Sequence, residues 1–427
     1  MKLDQNIKKF SSFQLELIEQ FVRSGFPREF GEVVAGQLHS EKALYRMTQY
    51  LRQAAPDSME EVADELLSIM TDVDNWREKK KNEYYNGKLN ELLWYGLEEK
   101  KVMEQRIFDV TALGELLIDF TENGLSIQGN PLFEANPGGA PCNVLSMLAR
   151  LGKKVSFIGK VGNDMFGHQL QQAVMEQGID TAGLRMDDDV HTTLAFVHTM
   201  EDGDRDFSFY RKPGADINLM PEEIDEERIC DSRIFHFGTL SLTDEPARSA
   251  TQYALSVAER AGCIRSFDPN LRPPLWKDLE EAKAQVAWGL EHCDVLKISD
   301  NEIQWFTGEQ DFDEGIRILS EAYPHIRMIC LSMGKDGSSV YYGDVKVFEE
   351  AFVNPDTIET TGAGDTFCAC VLNYVLEHGL VGLTQEQLSE MLRFANAAAS
   401  LVTTKKGALR VMPSISQVKE YLQKWEM

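Results

Sequence analysis

Residues 358–369 read IETTGAGDTFCA. Two glycines flank Ala363, Asp365 follows, and the apolar run TFCACVLNYVLEHG behind them predicts a helix. A helix start of this kind offers unpaired N–H groups and the positive end of its dipole to an anion. Small residues at Gly362, Ala363 and Gly364 let a phosphate come close. A carboxylate in that first turn has two readings. Asp365 can cap the N–H groups, or it can act as a general base that takes a proton from an attacking hydroxyl while the helix start holds the phosphoryl group in transfer. The motif alone leaves both open.

Two further clusters carry residue types suited to a ligand. In NPGGAPCNV, residues 136–144, Gly138 and Gly139 permit close backbone approach, and Asn143 sits one turn into the next helix. Asp119, at the end of GELLID, would reach the same region. Carboxylate and amide together can bind the hydroxyl pairs of a polyol, although each residue also reads as an ordinary turn or cap. In SFDPNLRPPLW, residues 266–276, Asp268 and Asn270 end a strand, and Pro273 and Pro274 stiffen the turn that carries Arg272. A rigid arginine there can clamp a phosphate or make a surface salt bridge. Neither G-x-x-x-x-G-K-[ST] nor G-x-G-x-x-G occurs, so the familiar nucleotide loops are absent.

These residues need a scaffold, and the wider sequence indicates which. The chain has 427 residues and a formal net charge of −26. That balance argues against nucleic acid or an acidic membrane surface as a partner. No apolar run approaches the roughly 20 residues of a membrane span, and MKLDQNIKKF carries no signal-peptide pattern. Seven scattered cysteines match neither a zinc site nor a disulfide framework. A cytoplasmic protein with small-molecule partners is expected.

Residues 1–105 read as an all-helical domain. LELIEQFVRSG predicts a helix with Leu15, Ile18, Phe21 and Val22 on one face and Gly25 as its stop. SMEEVADELLSIMTDVDNW predicts another, with Ser58 and Glu61 as a capping box and Met59, Val62, Leu66, Met70 and Val73 as the apolar face. WREKKKNEYYNGKLNELLWYGL reads as a third helical stretch. No chemistry-bearing constellation occurs there, so the domain reads as a packing or assembly module, with regulation as the alternative. From residue 106 to 427 the texture changes. Short β-rich runs such as KVSFIGKVG, IFHFG, DVLKIS and MICLSMG alternate with helical stretches. This predicts a three-layer α/β domain with a mainly parallel sheet. TTLAFVHTM and DRDFSFYR, joined by EDGD, predict an antiparallel hairpin that projects as a lid.

Taken together, GGAPCNV…GKVGNDMFG, DPNLRPPLW and TTGAGDTF resemble the ribokinase-like (PfkB) family of carbohydrate kinases, over about Val110 to Pro413. FYRKPGADINL and FHFGTLSL are similar to the wording of its fructokinases. The resemblance implies a ribokinase-like fold with a small antiparallel β lid, using strands around 120–136 and 190–212. It implies transfer of the γ-phosphoryl of ATP, with Mg2+, to the 6-hydroxyl of D-fructose. Another small sugar, such as ribose or 2-keto-3-deoxygluconate, is the alternative, and a non-catalytic sugar sensor the remote one.

The same resemblance assigns roles. Asp365 becomes the base, and the N–H groups of Gly362, Ala363 and Gly364 an anion hole. Asp119, Gly138, Gly139 and Asn143 form the sugar floor, Arg211 belongs to the lid, and Arg272 steadies the phosphates. Asn270, Ser332, Gly334, Gly337 and Asn396 fall on the nucleotide side. Glu302 would help hold magnesium through water, within Ser299-Asp300-Asn301-Glu302, where the family often has Asn in place of Ser299. The family usually has Asp where this chain has Glu359, next to a monovalent-cation site. The longer side chain leaves a K+ site shifted, weakened or lost. A homodimer formed through the lid is also implied.

Overall fold

The computed structural model describes residues 11–38, 41–56, 58–71, 106–199 and 205–425. The expected helical stretch over residues 76–97 and the hairpin turn over residues 201–204 lie outside the described residues. Contacts divide the chain into two compact units, Met1–Val102 with Leu380–Thr384, and Met103–Gly379 with Gln385–Met427.

In the first unit, α1 (Ser12–Arg23), α2 (Arg28–Gln37), α3 (Glu41–Gln53) and α4 (Met59–Thr71) are helices. Ser11 and Gln14 close a capping box on α1, and the Glu61 N–H donates to Ser58 at the start of α4. Leu17, Ile18, Phe21, Phe30, Val34, Met47 and Leu66 are fully buried. The buried face of α1 thus differs from the expected one. Leu17 takes the place of Leu15, and Val22 is 49% exposed, because residues 14, 17, 18 and 21 share one face at a period of 3.6. Phe21 and Phe30 meet edge to face, with centroids 5.4 Å apart.

The second unit begins with β1 (Phe108–Leu113), β2 (Leu117–Leu125), β3 (Pro131–Gly138), α5 (Ala140–Arg150), β4 (Val155–Gly162), α6 (Met165–Glu176), β5 (Ile179–Asp187), β6 (Leu194–Thr199) and β7 (Arg205–Tyr210). It continues with α7 (Glu226–Cys230), β8 (Ser232–Gly238), α8 (Ala247–Arg260), β9 (Ile264–Asp268), α9 (Leu279–Glu291), β10 (Val295–Ser299), α10 (Asp300–Thr307), α11 (Phe312–Ala322) and β11 (Met328–Ser332). The last elements are β12 (Ser338–Tyr342), β13 (Val345–Glu349), α12 (Ala363–His378), α13 (Gln385–Val402) and α14 (Ile415–Trp425).

The large sheet has nine strands in the order β13-β12-β11-β10-β9-β8-β1-β4-β5. From β11 to β5 all neighbours are parallel, and only β12 and β13 run antiparallel. Every residue of β4 is buried, as expected of a strand covered on both faces. Helices α5, α12 and α13 pack together as one outer layer. On the other face, side chains of α8, α9, α10 and α11 join Phe235, Phe237, Phe267, Leu296 and Leu331 in one core. β5 is a strand that its sequence, IDTAGLRMD, did not advertise. Gly183 and three charged residues interrupt its apolar pattern, and pairing along β4 supplies the strand instead.

A second sheet has four strands in the order β3-β2-β6-β7. β2 pairs antiparallel with β3, and β6 with β7, so the expected hairpin is present as β6 and β7. The seam between them, β2 against β6, is parallel. Phe120 and Phe196 stack across that seam at 4.8 Å.

In the large core, Phe237 stacks on Phe267 at 4.8 Å. A Cβ on Gly289 would lie 2.4 Å from the Phe267 ring, so α9 reaches this close only as glycine. Gly289→Ala gains helix propensity but overpacks the ring, and we expect a net loss of about 1–3 kcal/mol. Guanidinium denaturation checks this, and a raised midpoint would contradict it.

Candidate active site

A cleft of about 430 Å³ lies between the small sheet and the end of the large one. Chain reversals at strand ends line it, namely the β1–β2 and β3–α5 turns, the loop after β9, the turn into α12, and residues 407–408. Three glycines make these approaches possible. Gly139 has φ 130°, and a Cβ there would sit 2.4 Å from the Glu115 carbonyl oxygen. Gly138 leaves room for the Asp119 carboxylate, since its Cβ would lie 2.1 Å from Oδ2. Gly362 has φ 77°, and its Cβ would strike the Ala408 methyl at 2.5 Å.

Gly362 is the N-cap of α12, and Asp365 stands in the first turn. The Ala363 N–H donates to the Thr360 carbonyl at 3.2 Å. It is therefore already spent, which corrects the three-residue anion hole. Among the described residues, the Gly364 N–H meets no backbone acceptor. Asp365 accepts a hydrogen bond from Asn143 Nδ2 at 2.8 Å. Burial raises the Asp365 pKa, while that bond, Lys297 and Arg272 pull it down. Asn143 was expected to face a sugar. Its amide nitrogen holds Asp365 instead, and its Oδ1 is buried with no partner.

Asp119, Gly138, Gly139, Asn143, Asn270, Arg272, Glu359, Gly362, Gly364 and Asp365 all line this cleft. Asn270 adopts φ 45°, the left-handed region that asparagine tolerates better than most residues. Arg272 Nη1 donates to the Leu271 carbonyl at 3.1 Å, and its charge acts on Asp365. Among the described residues it has no ion-pair partner, so the surface salt-bridge reading falls away. Glu359 Oε1 accepts the Gly407 N–H at 2.7 Å.

Other expected site residues are engaged elsewhere. Arg211 is 2% exposed. It pairs with Asp216 at 2.6 Å and donates to Thr243 Oγ1 and the Leu240 carbonyl. Its guanidinium braces the chain after β7 instead of covering the cleft. Asn396 donates to the Glu349 and Glu350 carbonyls and accepts from Ser338, which ties α13 to the β12–β13 hairpin. Ser332, Gly334 and Gly337 form the turn after β11 and do not line the cleft.

Glu302 closes a capping box with Ser299 on α10. Its other oxygen accepts the Leu271 N–H at 2.7 Å, fastening the loop that carries Arg272. The serine in place of asparagine is therefore a helix cap. Among the described residues, no three His, Cys, Asp or Glu side chains converge to hold a metal unaided. Glu302 and Asp365 nevertheless lie close enough to Asp268 to act on its carboxyl electrostatically. Hard oxygen donors in this number suit a magnesium ion that brings most of its ligands from phosphate and water.

Two cleft residues escape the sequence reading. Lys297 lies in the apolar strand VLKIS, and a charge inside a buried run was the available signal. Its Nζ pairs with Asp268 at 3.1 Å. Glu115 lies in GELLID, directly after β1. It is 4% exposed and accepts the Ala140 N–H at 2.8 Å. Burial pushes its carboxyl up to about 7.

The Glu115 shift fixes a sign. Between about pH 4.5 and 7 the unfolded chain releases this proton and the folded chain keeps it. Its contribution to stability is present in acid and is lost as pH rises through 7, with a slope of about 1.4 kcal/mol per pH unit. Glu115→Gln retains an acceptor for Ala140 and removes the proton. Melting temperatures from pH 4.5 to 8 should fall less in the variant than in the parent. Equal slopes would refute the assignment. Asp268, also raised to about 7 by burial, leaves a residual slope of the same sign in both.

Comparison with known proteins gives consistent matches. A family model described as pfkB family carbohydrate kinase matches residues 108–415. The Arabidopsis thaliana protein named "Probable fructokinase-2" is 40% identical over 316 residues, covering 74% of this chain and 95% of its own length. A fructokinase with bound ATP from Xylella fastidiosa superposes with a TM-score of 0.68 at 30% identity, over 75% of this chain and 99% of that one. A fructokinase double mutant from Vibrio cholerae O395, in a form with fructose, ADP and potassium bound, superposes with a TM-score of 0.66 at 29% identity, over 74% of this chain and 99% of that one.

Proposed function

This chain belongs to the pfkB family of carbohydrate kinases, and we propose that within it the protein is an ATP-dependent fructokinase that phosphorylates the 6-hydroxyl of D-fructose. One observation carries the mechanism. A carboxylate, Asp365, stands at the start of α12 in a cleft that also presents Arg272, Lys297 and the Gly364 N–H.

Fructose lies on Asp119, Gly138 and Gly139, and Asn143, whose Nδ2 stays on Asp365, has only its unpartnered Oδ1 left to accept from a sugar hydroxyl. Asp365 accepts the proton of the 6-hydroxyl, whose oxygen attacks the γ-phosphorus. The bond from that phosphorus to the β-phosphate oxygen breaks, ADP departs, and Asp365 later gives its proton to solvent. Gly364, the helix dipole and Arg272 stabilise the charge of the transferring group. Asn270 and the turn at Ser332, Gly334 and Gly337 border the nucleotide. Glu302 would help hold a magnesium ion that arrives with ATP, and that ion would supply charge neutralisation for the transfer.

Glu359 already accepts a protein N–H at Gly407, which supports a second proposal, that turnover needs no potassium. Exchanging K+ for choline should leave the rate unchanged within assay error, and strong stimulation of the parent by K+ would contradict this. No helix among the described residues is long and apolar enough to cross a membrane, and none of the seven cysteines is in a disulfide. Both agree with a cytoplasmic enzyme. Exposed Leu125, Leu132, Phe133 and Tyr210 on the small sheet support a homodimer joined through it.

Asp365→Ala should lose at least about a hundredfold in turnover while keeping its circular dichroism. Near-parental turnover would overturn the role. A coupled ADP assay over fructose, ribose and 2-keto-3-deoxygluconate tests the substrate, and a kcat/KM for either of the others above that for fructose would reassign it.

A further inference from the structure

Two polar residues of the cleft take no part in the mechanism above. Asn136 on β3 stands directly opposite Asp119 on β2, and Thr121 follows Asp119 by two residues along the same strand. Side chains at these three positions share one face of the small sheet, and all three residues line the cleft. Asp119 is already assigned to the sugar. Thr121 and Asn136 are not.

Their hydrogen bonding is one-sided. Asn136 Nδ2 donates to Thr121 Oγ1 at 2.9 Å and to the Glu134 carbonyl at 3.4 Å. A carbonyl can only accept, so Glu134 fixes which end of the amide is nitrogen. Asn136 Oδ1 points elsewhere. A Cβ added to Gly407 would lie 3.5 Å from it, so the oxygen faces a bare glycine on the 407–408 turn. That glycine's N–H is already given to Glu359. Among the described residues, Oδ1 meets no donor. Thr121 Oγ1 accepts from the amide, which leaves its own hydrogen to give.

The couple thus presents one open acceptor beside one open donor, locked together by the bond between them. A carboxylate would satisfy only the donor, and an ammonium only the acceptor. A neutral hydroxyl satisfies both at once.

We propose that Thr121 and Asn136 set sugar specificity by reading one non-reacting hydroxyl of the ketohexose: Asn136 Oδ1 accepts its hydrogen, and Thr121 donates to its oxygen.

Asp365 takes the 6-hydroxyl, so the hydroxyls at carbons 1, 2, 3 and 4 are the ones available to the couple. A site built to bond a hydroxyl rejects the analogue that lacks it, because its own polar groups are then left unpaired.

The inference rests on the fructokinase reading, and its test separates the two. Parent and Asn136→Ala are compared on fructose and on 1-deoxyfructose, 2,5-anhydromannitol, 3-deoxyfructose and 4-deoxyfructose, each of which lacks one of those hydroxyls. Asn136→Ala should lose about tenfold in kcat/KM on fructose, carried by KM. On the one analogue whose missing hydroxyl the couple reads, it should lose nothing. Thr121→Val, a change of the same shape that keeps the test open if alanine at 136 does not fold, should single out the same analogue. Calorimetric affinities for these sugars without nucleotide should show the same pattern. A merely structural role lowers every sugar by one common factor. Folded variants whose losses are absent, or equal across all the sugars, overturn the inference and leave the kinase reading standing. A parent that binds fructose without turning it over fails the kinase reading instead, and calorimetry still decides the roles of Thr121 and Asn136. A parent that neither binds nor phosphorylates fructose sinks both.

Discussion

One helix start has to serve two negative charges. The N-terminus of α12 presents its dipole and the Gly364 N–H, which meets no backbone acceptor among the described residues, to the proposed phosphoryl group, yet it also carries the Asp365 carboxylate. Like charges this close repel strongly inside a protein, where the dielectric is low. The surroundings of Asp365 oppose that repulsion. Asn143 donates to it, and Lys297 and Arg272 bring positive charge.

The fold delivers these groups from distant parts of the chain. Asp268 and Lys297 come from adjacent parallel strands, so their separation is set by the sheet itself. Glu302 caps α10 and also holds the Leu271 N–H, which fixes the loop bearing Arg272 to the neighbouring strand end. Glu115 fastens the start of α5 and with it the helix that carries Asn143. The residues proposed to meet substrate are thus held by a second set that never needs to touch it. Rigid elements place the charges, and short turns with glycines supply the space.

Much of this was legible in the sequence, for a physical reason. Gly139 and Gly362 announce themselves because positive φ favours glycine, Gly138 and Gly364 because neighbouring groups crowd the place of a Cβ, and Asp365 because a carboxylate stands out at an anion-binding helix start. The alternation of apolar strands and helices likewise reads through to a mainly parallel sheet, although not to its strand order. What stayed hidden was partnership. Arg211 looks like a ligand residue until Asp216, five residues on, takes its guanidinium. Asn396 looks available until the carbonyls of β13 and the following residue claim it. Local wording gives a residue's type and not its nearest neighbour in space. Lys297 went unread for the opposite reason, because a lysine in an apolar strand is invisible to periodicity.

The bond from Asn143 to Asp365 has one more consequence. A carboxylate poised at an anion site would, if left bare, serve water as readily as sugar, and an enzyme that holds ATP would then squander it. Here the lone pairs on Oδ2 already face a donor fixed by α5. That donor occupies one carboxylate oxygen and leaves Oδ1 open, so the direction from which the proposed acceptor alcohol can approach Asp365 is set by α5.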